Sequence, residues 1–272
     1  MPSLREALQN FSAVVVTGGS SGIGKSFIEL LVKLNPALTF CNLSRRKPDI
    51  NVPELKLRHF PCDLSDAAEI DRVVPEILAH LKQSAPTGRI LLINNSGFGS
   101  YGYFPEPNLA HQLEMLDVNI RAVIQLSGLL LPVLKQQGGT IVTIASTAAF
   151  QPTAYMAAYG ASKTFVLHWS LALNEELRGT GVRTLAICPG PTSTEFFRRA
   201  GLQKGSVADS ISMSCEDVVM DGLKALVAGK SLVVTGWKNK LSAFAGSMVP
   251  KPFAAWVAAK VLARYRLKQV QS

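Results

Sequence analysis

Paired cysteines and any internal repeat are missing from this 272-residue chain, and no secretory leader is expected. Its four cysteines, Cys41, Cys62, Cys188 and Cys215, stand far apart with no C-x-x-C pair, which argues against a disulfide framework or a thiolate metal site. Three of them sit in apolar runs, as buried thiols do, and no metal is expected. The opening stretch MPSLREALQN carries charge and lacks a long apolar run, so a reducing cytoplasm is the expected compartment. Low-complexity tracts are absent, and the 21 Gly and 15 Pro are spread along the chain. Acid is missing from Lys238 to Ser272, where Lys238, Lys240, Lys251, Lys260, Arg264, Arg266 and Lys268 account for seven of the net +9. The rest is nearly neutral, which excludes a nucleic-acid surface spread across the fold.

What is present is a β-α repetition. Apolar runs such as SAVVVTG, LTFCNLS, KLRHFPCD, RILLINNSG, GTIVTIAS, VRTLAICPG and SLVVTG alternate with helical patterns, giving seven strand candidates. Most run hydrophobic without alternation, as strands of a parallel sheet covered on both faces must. The expected fold is α/β: a single Rossmann-type doubly wound parallel sheet of about seven strands, with a crevice at the carboxyl ends of the strands where strand order reverses. Residues 1–237 form that domain and 238–272 a basic C-terminal helical extension.

Two stretches carry chemistry. TGGSSGIG follows the first strand and opens a helix; its Gly18, Gly22 and Gly24 suit a turn that presents backbone N–H groups and a helix N-terminus to a phosphate. YGASK places Tyr159 and Lys163 four residues apart, on one helical face and in one electrostatic environment. A phenol with an ordinary pKa near 10 is a poor base at neutral pH, and an adjacent ammonium is expected to lower that value. Dinucleotide folds that hold NAD place an acid at the end of strand two. Here that position is Ser44, followed by Arg45 and Arg46, whose guanidinium groups suit a 2′-phosphate, so NADP(H) is expected rather than NAD(H).

With TGGSSGIG, NNSG at 94–97, Asn119, Ser146 and YGASK in place, residues 10–236 resemble the short-chain dehydrogenases/reductases, in the single-domain oxidoreductase branch. The C-terminal segment resembles a bacterial subgroup related to hydroxysteroid and long-chain ketoacyl reductases. The resemblance implies that Tyr159 exchanges a proton with a carbonyl or alcohol oxygen, that Ser146 hydrogen-bonds that oxygen, and that Lys163 tunes Tyr159 and binds the nicotinamide ribose. Asn119 would hold a helix kink and a proton relay. Gly18, Ser20, Ser21, Gly22, Ile23 and Gly24 would cradle phosphates, with Ser44, Arg45 and Arg46 beyond them. Asp63 and Leu64 would meet the adenine, although Asp63 could equally cap the helix starting near Ser65. Asn95, Ser96 and Gly97 complete the cofactor set with Pro189, Gly190, Thr192 and Thr194 of the loop CPGPTSTEF.

Substrate contacts are expected from Ser146, Phe98, Phe150, Met156 and Phe196, in apolar and aromatic segments that suit a hydrophobic aldehyde, ketone or ketoacyl compound. The resemblance implies a homodimer or homotetramer. From Pro252 onward the tail reads as a basic amphipathic helix, either docked on the body or attached peripherally to the inner membrane surface. Pro250, Lys251 and Pro252 split it into pieces too short to span a bilayer. A catalytically idle dinucleotide-binding module, sensing redox state or recruiting a partner, is the alternative to an enzyme.

Overall fold

The computed structural model describes residues 3–104, 108–192 and 212–263. In chain order the elements are α1 (Leu4–Leu8), β1 (Phe11–Thr17), α2 (Gly22–Leu34), β2 (Thr39–Ser44), β3 (Lys56–Pro61), α3 (Ala67–Ser84), β4 (Arg89–Asn94), α4 (Leu109–Leu116), a π-helical turn (Asp117–Arg121), α5 (Ala122–Gln137), β5 (Gly139–Ile144), a 3₁₀ turn (Thr147–Phe150), α6 (Ala157–Glu176), β6 (Val182–Cys188), α7 (Cys215–Val227), β7 (Leu232–Val234), α8 (Trp237–Met248) and α9 (Lys251–Leu262).

The seven strands pair in the order β3-β2-β1-β4-β5-β6-β7, every pair parallel. Strand β1 shows why its sequence is apolar throughout. Ala13 and Val15 pack with Leu92, Ile141 and the α3 and α5 residues Ile70, Ile77, Leu126 and Leu130. Val14 and Val16 point the other way, into a second core with Phe27 and Leu31 of α2 and Val219 and Leu223 of α7. Helices cover both faces, so no face of β1 can be polar. The edge strands are the exceptions: β3 buries only Phe60, and all three residues of β7 are half-buried. Strand order reverses between β1 and β4, and the carboxyl ends of those two strands define the crevice.

The helical run Leu109–Gln137 is long and apolar enough to cross a membrane. Its inner face nonetheless buries Met115, Val118, Ala122, Leu126, Leu130 and Leu134 in the sheet's core, as a helix of a packed domain does.

After β7 the helix expected from Pro252 onward is present as α9, and a further helix, α8, precedes it. The two are broken at Val249 and Pro250, where Pro250 lies extended (φ −54°, ψ 133°) and α9 begins at Lys251. Both lie on the body: Gly246 of α8 packs against Gln151, and in α9 Lys251 Nζ donates to the Phe150 carbonyl at 3.2 Å while Tyr101 Oη donates to the Leu262 carbonyl at 2.5 Å. Arg264 and Lys268, part of the expected basic stripe, lie outside the described residues.

Candidate active site

The crevice opens into a cavity of about 1050 Å³ that runs from the β1–α2 turn to the C-terminal helices. Its phosphate end is built by chain geometry. Gly18 takes φ +70°, where a side chain would be strained. The residue preceding α2, Ser21, makes no side-chain cap, so first-turn N–H groups of α2 remain for an anion. A Cβ on Gly24 would fall 2.4 Å from Asn95 Nδ2 and 2.5 Å from the Gly18 carbonyl, so only glycine lets the helix approach this closely. Asn95 in turn donates through Nδ2 to the Thr17 carbonyl, and the backbone N–H groups of Asn95 and Ser96 both donate to Thr17 Oγ1, each at 2.9 Å. The NNSG stretch therefore ties the end of β4 to the end of β1. Asn42, unremarked in the sequence, accepts the Gly19 N–H at 2.8 Å and holds the turn from the β2 side.

Ser20, Ser21, Gly22 and Ile23 line the same cavity, followed outward by Ser44, Arg45, Arg46, Asp63 and Leu64. The Ser44 hydroxyl donates to the Arg46 carbonyl at 2.7 Å, so it shapes the loop carrying both arginines. Arg45 reaches between two carboxylates, Asp63 at 3.5 Å and Glu114 at 3.6 Å. Burial pushes the Asp63 carboxyl up, but hydrogen bonds from Ser65 and the Arg45 charge outweigh it and hold the group below its ordinary value. Asp63 does not cap α3. That helix starts at Ala67 and Asp66 caps it, accepting from the Ala68 N–H at 2.8 Å, while Asp63 closes a turn onto Ser65.

At the chemical end, Ser146 follows β5, and Tyr159 and Lys163 stand on α6; all three line the cavity with Asn95, Ser96, Gly97, Pro189, Gly190 and Thr192. Tyr159 and Lys163 are buried. Burial pushes the Tyr159 phenol up to about 12, a hydrogen bond from Ser146 pulls the other way, and Cys188 adds to the rise. Burial likewise lowers the Lys163 ammonium to about 8. Its Nζ donates to the Ile144 carbonyl at 2.8 Å and lies 5.9 Å from the Tyr159 ring centre. The expectation that lysine lowers the tyrosine is thus corrected for the protein by itself: desolvation of the phenol dominates, and the ammonium is held on a carbonyl. Tyr159 is a protonated acid at neutral pH.

Asn119 sits within the π-helical turn, so the expected helix irregularity is there. Its side chain does not line the cavity. Nδ2 donates to the Phe98 carbonyl and to Ser162 Oγ, both at 3.1 Å, and Oδ1 accepts the Phe98 N–H at 3.2 Å. It anchors the loop carrying Gly97 and Phe98 to α6. A Cβ on Gly97 would lie 2.9 Å from Asn119 Oδ1 and 3.2 Å from Lys163 Nζ, so that loop lies tight over the lysine.

Among the expected substrate residues, Phe98 and Met156 line the cavity. Phe150 does not. It lies in the 3₁₀ turn after Ser146 and packs against the cluster that holds Val166, Leu167 and Cys188, and its carbonyl anchors Lys251. Phe196 and Thr194 lie outside the described residues. The sequence reading missed a whole wall: Ala245, Val249, Phe253, Ala254, Val257 and Leu262 of the two C-terminal helices close the apolar end. Asn239 fixes this wall, lying against Gly190 where a Cβ would meet its amide at 2.3 Å and donating to the Thr235 carbonyl at 2.8 Å. Alanine, glycine and valine give such a wall no chemical signature. The one clue was an apolar segment continuing past the last strand.

A phosphate-binding turn, a buried tyrosine beside a lysine and a serine within reach, on a doubly wound sheet, define a nicotinamide-dinucleotide oxidoreductase. Residues 12–205 match the short chain dehydrogenase family, and the chain belongs to it. An uncharacterised oxidoreductase of Escherichia coli, YbbO, is 35% identical over 189 residues, covering 68% of this chain and 67% of that one. A very-long-chain 3-oxoacyl-CoA reductase of Macaca fascicularis is 30% identical over 234 residues, covering 82% and 73%. A short-chain dehydrogenase of Sphingobium yanoikuyae, solved in complex with NADPH, superposes with a TM-score of 0.71 at 25% identity, covering 96% of this chain and 98% of that one.

Proposed function

We propose that the protein is an NADP(H)-dependent reductase of hydrophobic carbonyl compounds, reversible as an alcohol dehydrogenase. The observation that carries this reading is the joining, in one cavity, of the α2 phosphate turn, the Ser146–Tyr159–Lys163 group and an apolar wall. Bound there, the nicotinamide supplies the hydride that the carbonyl carbon receives. The chain does the rest. The Ser146 hydroxyl donates a hydrogen bond to the substrate's carbonyl oxygen and polarises it. Tyr159, protonated at neutral pH, donates its phenolic proton to the same oxygen as negative charge develops there. The Lys163 ammonium stabilises the phenolate left behind until solvent returns the proton. Asn119 keeps Gly97, Phe98 and α6 in register, so that these groups converge.

The 2′-phosphate preference rests on the end of β2, where Ser44, Arg45 and Arg46 offer no carboxylate to a ribose 2′-hydroxyl. Arg46 lines the cavity and forms no ion pair with another described residue, and Arg45 can turn from Asp63 and Glu114 toward an added phosphate. The NADPH of the Sphingobium neighbour supports the same choice. The apolar wall, together with the relative that reduces very-long-chain 3-oxoacyl-CoA, supports an aldehyde, ketone or ketoacyl substrate with a hydrocarbon body.

The test is NADPH oxidation, followed by absorbance, with a panel of medium- and long-chain aldehydes, ketones and ketoacyl thioesters. Turnover with NADPH and little with NADH is expected. Tight NADPH binding with no oxidation by any carbonyl would instead make the protein a redox sensor.

A further inference from the structure

Helix α8 has two faces of opposite character. The inner one carries Asn239, buried Ala243 and Gly246, the last packed so closely that a Cβ would meet Gln151 Oε1 at 2.4 Å. The outer one carries Trp237, Leu241, Phe244 and Met248, spaced as one helical stripe and 68%, 61%, 66% and 70% exposed. Helix α9 continues the pattern, with Phe253, Trp256, Val257 and Val261 half-exposed along one face over buried Ala254. Of these, Phe253, Val257 and Val261 also line the cavity, which puts an apolar row at its mouth. Monomeric proteins rarely leave so many large apolar side chains together in water.

The charge around this surface selects its occupant. The described residues 238–263 hold four cations, Lys238, Lys240, Lys251 and Lys260, and no acid. Lys260 Nζ lies 3.8 Å from the Trp256 ring centre and Lys238 Nζ 5.8 Å from that of Trp237, an arrangement that suits an interface where rings sit among headgroups and ammoniums meet phosphates. A symmetric contact with a second copy would bring like charges together with no acid in this segment to neutralise them. An anionic lipid surface answers both the apolar stripe and the cations.

We propose that the outer face of α8 and α9 docks on anionic lipid, and that the cavity mouth rimmed by Phe253, Val257 and Val261 takes its substrate directly from the bilayer. The second clause rests on the proposed hydrophobic substrate; the first does not.

The experiment is flotation of the full chain with phosphatidylcholine vesicles and with vesicles containing 30% phosphatidylglycerol. Co-flotation with the anionic vesicles only is expected, weakening by about five-fold for each lysine of this face changed to alanine. Leu241→Glu with Phe244→Glu, both exposed and outside the cavity, should abolish flotation while turnover of a short water-soluble aldehyde stays within two-fold of wild type. Docking is overturned if the wild type stays unbound in both vesicle types, if the double variant still floats, or if the double substitution instead splits an oligomer that never bound lipid. Delivery from the bilayer is read with a long-chain ketone loaded in anionic vesicles: wild type should exceed the double variant at least ten-fold. Equal rates overturn delivery. Flotation without turnover of any carbonyl keeps the docking and overturns the reductase reading alone.

Discussion

A phenol pushed up to about 12 keeps its proton at neutral pH, and this is the form a carbonyl reduction consumes. Tyr159→Phe keeps the ring and its packing and removes only the proton. kcat for reduction should fall by about 10²- to 10⁴-fold while the NADPH dissociation constant, measured by fluorescence titration, changes less than two-fold. Retained turnover would remove Tyr159 from the proton path. The Lys163 ammonium, lowered to about 8 from an ordinary 10.5, is the group that titrates near the working range. Reduction should therefore lose activity as pH rises through about 8, one proton being lost, with no break from Tyr159 before about 12. The sign for stability is opposite. Between pH 8 and 10.5 the unfolded chain binds this proton more strongly than the folded one, so the penalty for burying Lys163 is present below pH 8 and is relieved as pH rises. Relative to Lys163→Met, the wild-type urea midpoint should climb between pH 8 and 10. A flat difference would mean that the ammonium is not desolvated.

At the scale of elements, the turn from β1 into α2 depends on the absence of a side chain at Gly24, wedged against Asn95 and the Gly18 carbonyl. Gly24→Ala must push α2 away from the ends of β1 and β4. NADPH affinity should drop at least ten-fold, with a chain that still melts cooperatively by circular dichroism. An unchanged affinity would place the phosphates elsewhere. The loop after β2 makes a separate prediction: Arg45→Ala with Arg46→Ala should weaken NADPH by about 10- to 100-fold and NADH hardly at all. Equal losses would undo the 2′-phosphate assignment. Asn239 and Gly190 link the C-terminal helices to the loop after β6, so changes in the apolar wall are expected to reach the Ser146–Tyr159–Lys163 end of the cavity.

Across the whole molecule, what could be read in the sequence is what backbone periodicity and unusual residue types announce. Seven apolar runs alternating with helices led to the seven-stranded parallel sheet because a strand buried on both faces cannot hide its composition, and the edge strands β3 and β7 are the least buried. Gly18, Gly24 and the Tyr159–Lys163 pair stood out because glycine at a turn and a lysine in an apolar helix are costly without a purpose, whereas Ser146 was legible only through the family resemblance. Contacts set by tertiary geometry were not legible. Asn42 holding Gly19 and Glu114 facing Arg45 depend on elements distant in sequence. Phe150 and the C-terminal wall show the same limit, since an apolar residue carries no sign of the cavity it faces. Nor does a pattern of charges reveal desolvation, which is why the tyrosine's pKa goes up and not down.

The most direct measurement of the central claim is isotopic. The protein is incubated with NADPH carrying deuterium at the transferable C4 position and a long-chain aldehyde or ketone, and the alcohol is examined by mass spectrometry. The account predicts one deuterium at the carbinol carbon with wild type and almost none with Tyr159→Phe. Saturating, tightly bound NADPH that passes no deuterium to any carbonyl offered would contradict it.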